Sequence, residues 1–489
     1  GATNVTRIAG EGGVVQIALN PANGDILLLD LGDTRIRKLV ASTSDLAFPQ
    51  TLTDTGFFAD LADLAPNPGV VPYAPNLAFW SDHAIKQRWF VITNTTDRMS
   101  YARESPWTFP AGMMWAKHFD LDLDRGNPAT RTRIETRILV RTTNGAYGVS
   151  YRWNTNGTEA FLAPDAGVNF NLNVTNQGVA LVQPWRIPSR AECLACHTPA
   201  GGHALSFNMR QLNGPGAIAG QTGNFLRVLD DADYLTAPPD APETLPRHVR
   251  PDETEYSLEA RARSYFAVNC GYCHMGAQSI VPGTWDGRAA TKLAEAGLVR
   301  ATASSNGGNT NNLLVVPGDT LHSIVWNRMA ATNGFTRMPP LGTYELDQTN
   351  IQMIAAWING ELTAWRNYAL WRADHFASTN SPEGAPDFDA DGDARSNYEE
   401  FLTRTDPNDE ADFWTGGIDW SPEYGVSVGH NLHNRAVTIE TATNLDGAAW
   451  TRWNVPGNTA LPIASGTVLR ISAPDTNTTE YFRFRVEEL

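Results

Sequence analysis

The sequence predicts a multidomain α+β protein, with a β-rich N-terminal domain, a helical domain, an acidic loop and a C-terminal β-sandwich. Its 489 residues are enough for about three or four units that each bury a core. Apolar residues alternate in strand-like runs before residue 190, take helical spacing between residues 257 and 360, and alternate again after residue 414. This change of period along the chain predicts domains of different secondary structure.

The chain is acidic, with 53 Asp and Glu against 37 Lys and Arg and a net charge of −16. This charge argues against nucleic acid or an anionic membrane surface as a partner. No run of about 18 apolar residues is present, so no transmembrane segment is predicted. Because the chain begins at Gly1 without a basic and apolar leader, we expect that an export signal has been removed.

Residues 1–45 are interpreted as a short β segment. Two or three strands with a turn at Asn23-Gly24 are predicted between residues 12 and 40. The pattern resembles one blade of the propeller that binds pyrroloquinoline quinone in sugar dehydrogenases. Since a propeller needs about four blades or more, the segment is either the remnant of a fused dehydrogenase or an addition to the next domain. It cannot hold a quinone alone.

Residues 46–190 are predicted to form a β domain. Its strand-like runs are residues 87–92, 114–121, 133–141 and 145–153. The last two are expected to form a hairpin that turns between Thr142 and Gly145. Residues 178–190 are interpreted as strand and turn, because Pro184 and Pro188 are incompatible with a helix there.

The four cysteines form two copies of one motif, Cys193-Leu-Ala-Cys196-His197 and Cys270-Gly-Tyr-Cys273-His274. Cys-x-x-Cys-His is the signature of covalent c-type haem attachment, in which two thiols bind the haem vinyl groups and the histidine becomes the proximal ligand of the iron. A four-cysteine zinc site or two redox dithiols are the alternatives, but neither explains a histidine directly after each second cysteine. Two haem c groups are therefore predicted as cofactors.

The first haem segment, residues 191–254, leaves the sixth ligand of its iron open. Met209 lies twelve residues past the proximal histidine and can reach the other side of a haem. His118 lies on a predicted strand, on the opposite face from Phe119 and Leu121, and is free to point outward if those two face the core. An iron with an open position is the third possibility.

Residues 255–365 are predicted to form a small helical domain. Three helices are expected at residues 257–269, 317–329 and 347–360, with Ser257 and Asp319 as N-caps of the first two. The order of helix, Cys-x-x-Cys-His, helix, Met338-Pro-Pro loop and helix resembles the class I cytochrome c domain. This resemblance implies that His274 and Met338 are the axial ligands of the second iron. A thioether opposite an imidazole raises the reduction potential.

Several separate motifs over residues 46–362 resemble one family of bacterial dihaem c-type cytochromes. They are residues 71–89, Lys117-His118-Phe119, residues 134–137, 151–153 and 188–198, and Arg210-Gln-Leu-Asn213. The family is found beside, or fused to, propeller-type quinoprotein sugar dehydrogenases resembling sorbosone dehydrogenase. Its members often carry Lys-His-Phe where His118 stands and threonine where Met209 stands, which implies His118 as the sixth ligand of the first haem.

Residues 385–412 contain an acidic twelve-residue loop with oxygen ligands spaced for Ca²⁺. The ligands are Asp389, Asp391, Asp393, Arg395 through its backbone carbonyl, Asn397 and Glu400. Ala394 replaces the usual glycine at the sixth position, which strains the turn or lowers the affinity. The loop and the segment Phe401–Pro407 after it resemble the type 3 calcium repeats of secreted bacterial proteins. A solvated acidic linker is the alternative.

Residues 414–489 are predicted to form a small antiparallel β-sandwich, with strand-like runs at residues 436–441, 468–472 and 481–486. We expect an interaction or anchoring module. Exposed tryptophans on this sandwich would favour binding to a polysaccharide or a cell surface, although tryptophan in a small sandwich more often belongs to the core. The candidates are Trp414, Trp420, Trp450 and Trp453.

The leading functional hypothesis is an electron carrier, an extracytoplasmic dihaem c-type cytochrome in the periplasm, outside the cell or at the cell surface. Its expected partners are redox proteins, with a pyrroloquinoline-quinone sugar dehydrogenase as donor and a downstream acceptor. One alternative is a dihaem peroxidase whose first iron is open to peroxide. The other is a surface- or polysaccharide-binding module that carries haems. No catalytic residue is predicted, and a strong sixth ligand on the first haem would exclude the peroxidase.

Overall fold

The computed structural model describes most of the chain and divides it into two compact units. The described residues are 14–30, 35–38, 48–279, 281, 283, 285–340, 342–414, 416–419, 424–428, 432, 435–445, 449–453, 458, 469–471 and 481–488. The first unit comprises Gly1–Ala74, Ser81–Ser100 and Pro106–Leu205, and the second comprises Pro75–Trp80, Tyr101–Ser105 and Ser206–Leu489. The secondary structure is mixed, with several antiparallel sheets and a helical domain.

Three antiparallel strands form a small sheet near the start of the first unit. They are β1 (Val14–Leu19), β2 (Ile26–Asp30) and β3 (Arg35–Lys38). The chain reverses between β1 and β2 at the predicted turn, where Gly24 has a φ of 76° and donates its N–H to the carbonyl of Asn20. Ile17, Leu19 and Ile36 are 68%, 67% and 70% exposed.

A six-stranded antiparallel meander is the main structure of the first unit. Its strands, in spatial order, are β11 (Ala160–Leu162), β10 (Ala146–Trp153), β9 (Arg131–Arg141), β8 (Met114–Asp122), β7 (Ile85–Val91) and β6 (Val71–Pro72). A separate two-stranded sheet consists of β4 (Phe58–Asp60) and β5 (Ala65–Pro66). The predicted hairpin is present between β9 and β10, where Thr142 donates its N–H to the carbonyl of Gly145 at 2.8 Å.

Apolar side chains cover both faces of the six-stranded sheet. The core on one face includes Trp89, Ala116, Ile138, Val149, Tyr151 and Trp153. The core on the other face includes Phe119, Leu121, Trp185 and Ile187. Because a strand in such a sheet is buried on both sides, alternation along it does not separate a core side from a solvent side.

A second hairpin leads to the first Cys-x-x-Cys-His motif. It consists of β12 (Val168–Asn176) and β13 (Val179–Ile187). Both residues of its turn, Gln177-Gly178, have positive φ, as a type I′ turn requires. Pro184 lies in β13, whose sole partner strand in the described sheet is β12, so the missing N–H is tolerated at an edge. The strand ends at Ile187, and a short helix, α1 (Arg190–Cys196), begins at the last residue of the segment that the sequence predicts as strand and turn.

The first haem segment continues into the second unit with short elements. They are α2 (Met209–Leu212), β14 (Pro215–Ile218), β15 (Gln221–Asn224) and α3 (Phe225–Asp231). Buried amide side chains hold the remainder. Gln211 bonds both the N–H and the carbonyl of Leu77, at 3.0 and 2.9 Å, and Asn213 donates to the carbonyl of Leu245 at 2.8 Å. These contacts hold the segment in place where its helices and strands are short.

The helical domain has the three predicted helices. They are α4 (Leu258–Asn269), α5 (Ile324–Ala330) and α6 (Gln348–Asn359). Ser257 caps α4 by accepting the N–H of Ala260, and Asp347 caps α6 by accepting the N–H of Asn350. The apolar face of α6 is buried in one core with residues of α4 and the intervening loops. This face consists of Ile351, Ile354, Trp357 and Ile358.

The second of these helices is shorter than the sequence predicts. The expected helix begins at residue 317 with Asp319 as its cap, whereas α5 begins at Ile324. Asp319 instead bonds both the N–H and the ring of His322, and the hydroxyl of Ser323 donates to the carbonyl of Asp319 at 2.7 Å. These local hydrogen bonds give the chain an alternative to the helix.

The C-terminal part contains two further helices and two three-stranded sheets. The helices are α7 (Tyr368–Phe376) and α8 (Asn397–Thr403). One sheet consists of β16 (Gly416–Asp419), β17 (Tyr424–Val428) and β20 (Leu469–Ile471), and the other of β19 (Thr451–Arg452), β18 (Arg435–Ala442) and β21 (Tyr481–Glu488). Among the residues described, no helix is both long enough and apolar enough to cross a membrane.

Two of the four candidate tryptophans, Trp414 and Trp453, pack against other rings. Trp453 is 8% exposed and lies 5.0 Å from Phe482 between ring centroids, and Trp414 lies 5.4 Å from Phe484. Trp420 falls outside the described residues. Trp414 and Trp453 therefore do not form an exposed aromatic surface of the kind that a polysaccharide-binding module needs.

Candidate haem-binding sites

The first Cys-x-x-Cys-His motif is carried by α1. Ser189 and Glu192 form a capping box at its start, in which each side chain accepts the backbone N–H of the other residue. The helix meets β10 at Gly148, where a Cβ atom would lie 3.0 Å from both the Cβ and the Sγ of Cys193. Glycine at this position therefore lets the motif lie directly on the sheet.

His197 follows α1 with its ring held in one orientation. Its Nδ1 bonds to the carbonyl of His203 at 2.5 Å, and Nδ1 of His203 bonds in turn to the carbonyl of His197 at 3.1 Å. Burial lowers the pKa of His197 to about 4; the bond to His203 opposes this shift, and the charges of Lys117 and Arg137 add to it. The imidazole is therefore neutral near pH 7, with Nε2 remaining as its ligand atom. A proximal haem ligand needs this state.

His118 is not where the sequence argument puts it. It is fully buried, whereas we expected it to point outward. Its Nε2 lies 2.9 Å from Asp120 Oδ1, and its Nδ1 lies 2.8 Å from the hydroxyl of Thr136, which also accepts the indole N–H of Trp153. Both ring nitrogens are thus engaged within the core of the sheet, and the role of His118 as an iron ligand stays a prediction. The expectation that His118 points outward is wrong because the sheet has no solvent face at this point.

Met209, the alternative sixth ligand, is the first residue of α2 in the second unit and is 1% exposed. Asn208 caps this helix by accepting the N–H of Gln211 at 3.0 Å. The thioether therefore belongs to a buried and well-anchored segment. Its role as a ligand stays a prediction.

The face of the sheet opposite His118 holds three cations that the sequence argument did not single out. Arg88, Lys117 and Arg137 are direct neighbours on β7, β8 and β9, and directly paired residues point to the same face. Lys117 and Arg137 lie close enough to His197 to oppose its protonation. The Lys-His order already contains the signal, because Lys117 faces whichever side His118 does not.

The second Cys-x-x-Cys-His motif follows α4 directly. The N–H of Cys270 donates to the carbonyl of Phe266, and the N–H of His274 donates to the carbonyl of Cys270 at 2.9 Å. The ring of His274 stacks on Trp285 with 4.6 Å between centroids. Its Nδ1 is buried without a hydrogen-bond partner among the described residues. Burial, followed by the charge of Arg328, lowers the pKa of His274 to about 4. This second imidazole is therefore also neutral and suits an iron.

Met338 lies in a loop tied to the same region. Its N–H donates to the carbonyl of Arg328 at 3.1 Å, and Arg328 is also the residue whose charge acts on His274. The guanidinium of Arg337 closes the loop through hydrogen bonds to two carbonyls on its far side. The side chain of Met338 is half-buried. The loop thus holds its methionine near the second motif, outside any helix.

The chemistry of the cysteines fits haem better than zinc. All four are free. Burial raises the pKa of Cys193 to about 11 and that of Cys270 to about 12. Across the described part of the chain, one group of three His, Cys, Asp or Glu side chains has its ligand atoms within 4.8 Å of one another. This group contains no cysteine.

That place is the acidic loop, at Asp389, Asp391 and Asp393. Asp389 accepts the N–H groups of Gly392 at 2.8 Å and of Ala394 at 3.0 Å. Ala394 has a φ of 70°, the left-handed conformation for which a calcium loop normally uses glycine. The loop therefore adopts the turn that the spacing predicts, with a strained residue at its sixth position.

Several oxygens of this loop lack partners. Asp391 Oδ2, Asn397 Oδ1 and Glu400 Oε2 are buried and accept no hydrogen bond from the described residues. Burial, together with the three aspartates, raises the pKa of Glu400 to about 8. Buried oxygens without donors, beside three carboxylates, are the set of ligands that Ca²⁺ takes. The residues present thus fit the ion.

One family model matches the chain. It is described as cytochrome C oxidase, cbb3-type, subunit III, and it covers residues 258–358, from the first residue of α4 almost to the end of α6. No curated protein matches the chain, and no solved structure does either. The match supports a c-type cytochrome domain at these residues and, with it, an electron-transfer haem protein. Within that class, the domain is similar to the third subunit of cbb3-type oxidases.

Proposed function

We propose that this chain is an extracytoplasmic dihaem c-type cytochrome that carries electrons between redox proteins. The observation that carries the proposal is the repetition of one arrangement: two Cys-x-x-Cys-His motifs, each at a helix end, each with half-buried cysteines and a half-buried, neutral histidine. The haem bound at each motif would supply a one-electron iron couple. The chain's own residues fix the histidines, exclude water and set the charge around each iron.

The two sites would have different potentials. His274 and Met338 would hold the second iron, and thioether ligation favours the ferrous state. The first site lies against a β-sheet whose facing side chains are cationic. We infer that electrons enter at the first haem and leave from the second, whose domain is similar to an oxidase subunit.

The donor that we propose is a pyrroloquinoline-quinone sugar dehydrogenase. The support is the resemblance of residues 46–362 to cytochromes found beside such enzymes and the three-stranded, blade-like sheet of β1, β2 and β3. Covalent haem attachment of this type takes place outside the cytoplasm, so the periplasm, the cell surface or the medium is the proposed location. Ca²⁺ bound by the acidic loop would order the segment between the helical domain and the C-terminal sheets.

A second candidate function has a specific observation in its favour. With His118 engaged inside the sheet, the first iron loses the sixth ligand that the family resemblance implies. An open first iron fed by a methionine-ligated second one is the arrangement of a dihaem peroxidase. The six-stranded sheet below the first motif argues against this class, in which both haem domains are expected to be helical.

Spectroscopy and redox titration of the holoprotein decide between these two functions. For an electron carrier, we expect two one-electron transitions, low-spin signals from both irons and rapid reduction of both by a quinoprotein sugar dehydrogenase with its sugar. A high-spin first iron that is oxidised by stoichiometric peroxide would replace the carrier with the peroxidase. Two haems that no such dehydrogenase reduces would contradict the proposed donor and leave the carrier in place.

A further inference from the structure

Four directly paired residues cross the central strands of the six-stranded sheet in one row. They are Ser150 on β10, Arg137 on β9, Lys117 on β8 and Arg88 on β7. Directly paired residues in an antiparallel sheet point to the same face. The opposite face holds His118 and the apolar core around Trp89 and Ile138. The row is therefore a cationic strip on the side of the sheet that meets α1.

The strip begins beside the first haem motif. On β10, Gly148 packs against Cys193. A Cβ atom added at Gly148 would lie 3.0 Å from the Cβ and the Sγ of Cys193, which is too close. On β9, Arg137 is close enough to both cysteines of the motif for their charges to interact. Lys117 and Arg137 both lie over the ring of Phe119, 4.8 and 4.5 Å from its centroid. The three strand spacings from β10 to β7 extend the strip by about 14 Å.

The positive charges in the strip are unequally compensated. Arg137 is paired with Glu135, at 2.6 Å, and this carboxylate also accepts the indole N–H of Trp185. Arg88 is 6% exposed, and no carboxylate within the described residues pairs with it. A buried guanidinium without a counter-charge is destabilising. The far end of the strip is therefore suited to an anion.

The shape of a haem matches this polarity. Its vinyl groups, which the cysteines would hold, lie at one edge of the porphyrin, and its two propionate carboxylates lie at the opposite edge. A haem attached at Cys193 and lying along the strip would carry its carboxylates away from β10 and toward β8 and β7. We propose that Arg88 and Lys117 bind the propionate carboxylates of the first haem and hold its plane against the sheet. This inference rests on the proposed attachment of a haem at the first motif.

The test compares Arg88→Gln and Lys117→Gln with wild type as full-length holoprotein. Removing a cation beside the haem stabilises the ferric state, because the oxidised iron carries one more positive charge. We expect the midpoint potential of the first haem to become more negative in both variants, while that of the second is unchanged. The propionate bending band in the resonance Raman spectrum should shift at the same time. Arg88→Lys, which keeps the charge, should restore the potential in part.

Arg131→Gln is the matched control, since Arg131 lies on β9, is 40% exposed and pairs with Asp122 at the surface. This variant should change neither the midpoint potential of either haem nor the propionate band. If Arg88→Gln does not fold, Lys117→Gln and Arg88→Lys carry the test. An unchanged potential and an unchanged propionate band in variants that retain two haems would overturn the proposal. A wild-type protein with a single haem at the second motif would instead refute the dihaem function, and the two failures are distinguished by counting haems.

Discussion

His118 and Lys117 are adjacent residues on β8 with opposite surroundings. His118 is held by Asp120 and Thr136 in the core, and Lys117 faces the first haem motif. We expect His118→Ala to leave the spectrum of the first haem unchanged and to lower the free energy of unfolding by about 2–4 kcal/mol, since it leaves two buried polar partners unsatisfied. EPR of the oxidised protein and a denaturation curve check both parts.

Met209→Ala is the companion variant for this test. A low-spin signal that is lost in Met209→Ala and retained in His118→Ala would identify the thioether as the sixth ligand. Conversion of the first iron to high spin by His118→Ala would show that the hydrogen-bonded network opens when haem binds, contrary to the arrangement in the structure.

At the second site, Met338→Ala should abolish the methionine-to-iron charge-transfer band and lower the potential of one haem only. The reason is that loss of the thioether removes a ligand that favours ferrous iron. Met329→Leu is a suitable control, because Met329 is 6% exposed in the core of the same domain, and an isosteric change there should leave the band in place. An unaltered band in Met338→Ala would disprove the assignment of the Met-Pro-Pro loop.

The residue types at these sites could be predicted from the sequence, but their directions only in part. Cys-x-x-Cys-His is a local motif whose chemistry follows from adjacent residues. The side to which His118 points depends on what covers each face of β8, and that cover comes from the hairpin β12–β13 and from residues distant along the chain. Alternation establishes that Lys117 and His118 face opposite sides. It does not establish which side faces the haem.

The acidic loop that leads into α8 is predicted to bind Ca²⁺, and limited proteolysis can test this binding. Removing Ca²⁺ should increase proteolysis between about Asp387 and Asp406 without changing either haem spectrum, since the carboxylates repel one another when no cation is bound. Limited proteolysis with and without chelator, read by mass spectrometry, measures this. Glu400→Gln should make the cleavage rate independent of calcium.

Glu410→Gln is the control for this loop, because Glu410 is exposed and lies outside the predicted ligands. It should respond to calcium as the wild type does. Equal cleavage of wild type in the presence and absence of chelator would mean that the segment is a solvated acidic linker.

Helix α4 contains a buried acid whose ionisation should affect stability. Burial raises the pKa of Glu259 to about 7, from 4.5. An acid whose pKa is raised in the folded state keeps its proton to a higher pH there than in the unfolded chain. The contribution of Glu259 to stability is therefore complete below pH 4.5 and is lost as the pH rises through 7. Glu259→Gln should therefore stabilise the protein at pH 8 by on the order of 1–3 kcal/mol and change little at pH 4.5.

Urea denaturation at the two pH values, followed by far-UV circular dichroism, measures this difference. The exposed Glu255→Gln is the matched control on the segment before the same helix. A stability gain of Glu259→Gln that is equal at both pH values would show that Glu259 titrates normally.

Elements with a strong period and their own caps were predictable, and those shaped by local side-chain bonds were not. Helix α6 (Gln348–Asn359) lies within one residue of the expected bounds at each end, and its apolar face is buried. Helix α5 is shortened because Asp319 and Ser323 bond neighbouring groups instead of capping it. Helix α1 is only seven residues long, and its capping box, Ser189 and Glu192, was the available signal beside the two prolines.

At the scale of the whole molecule, the two haem motifs belong to different units. The first lies on a β-sheet in the first unit, and the second lies at the end of α4 in the second. The family match covers the second site alone, so the first site stands on the motif, the orientation of His197 and the glycine contact at β10. A molecule with one haem would be an ordinary cytochrome domain with a large β extension.

The number of haems per chain therefore distinguishes a dihaem cytochrome from a protein with one haem domain. Pyridine haemochrome absorbance of the purified holoprotein, divided by the protein concentration from amino-acid analysis, gives this number. The account predicts two haems c per chain, and one after the double change Cys193→Ala and Cys196→Ala. A wild-type value of one, or zinc in place of haem at the first motif, would contradict it.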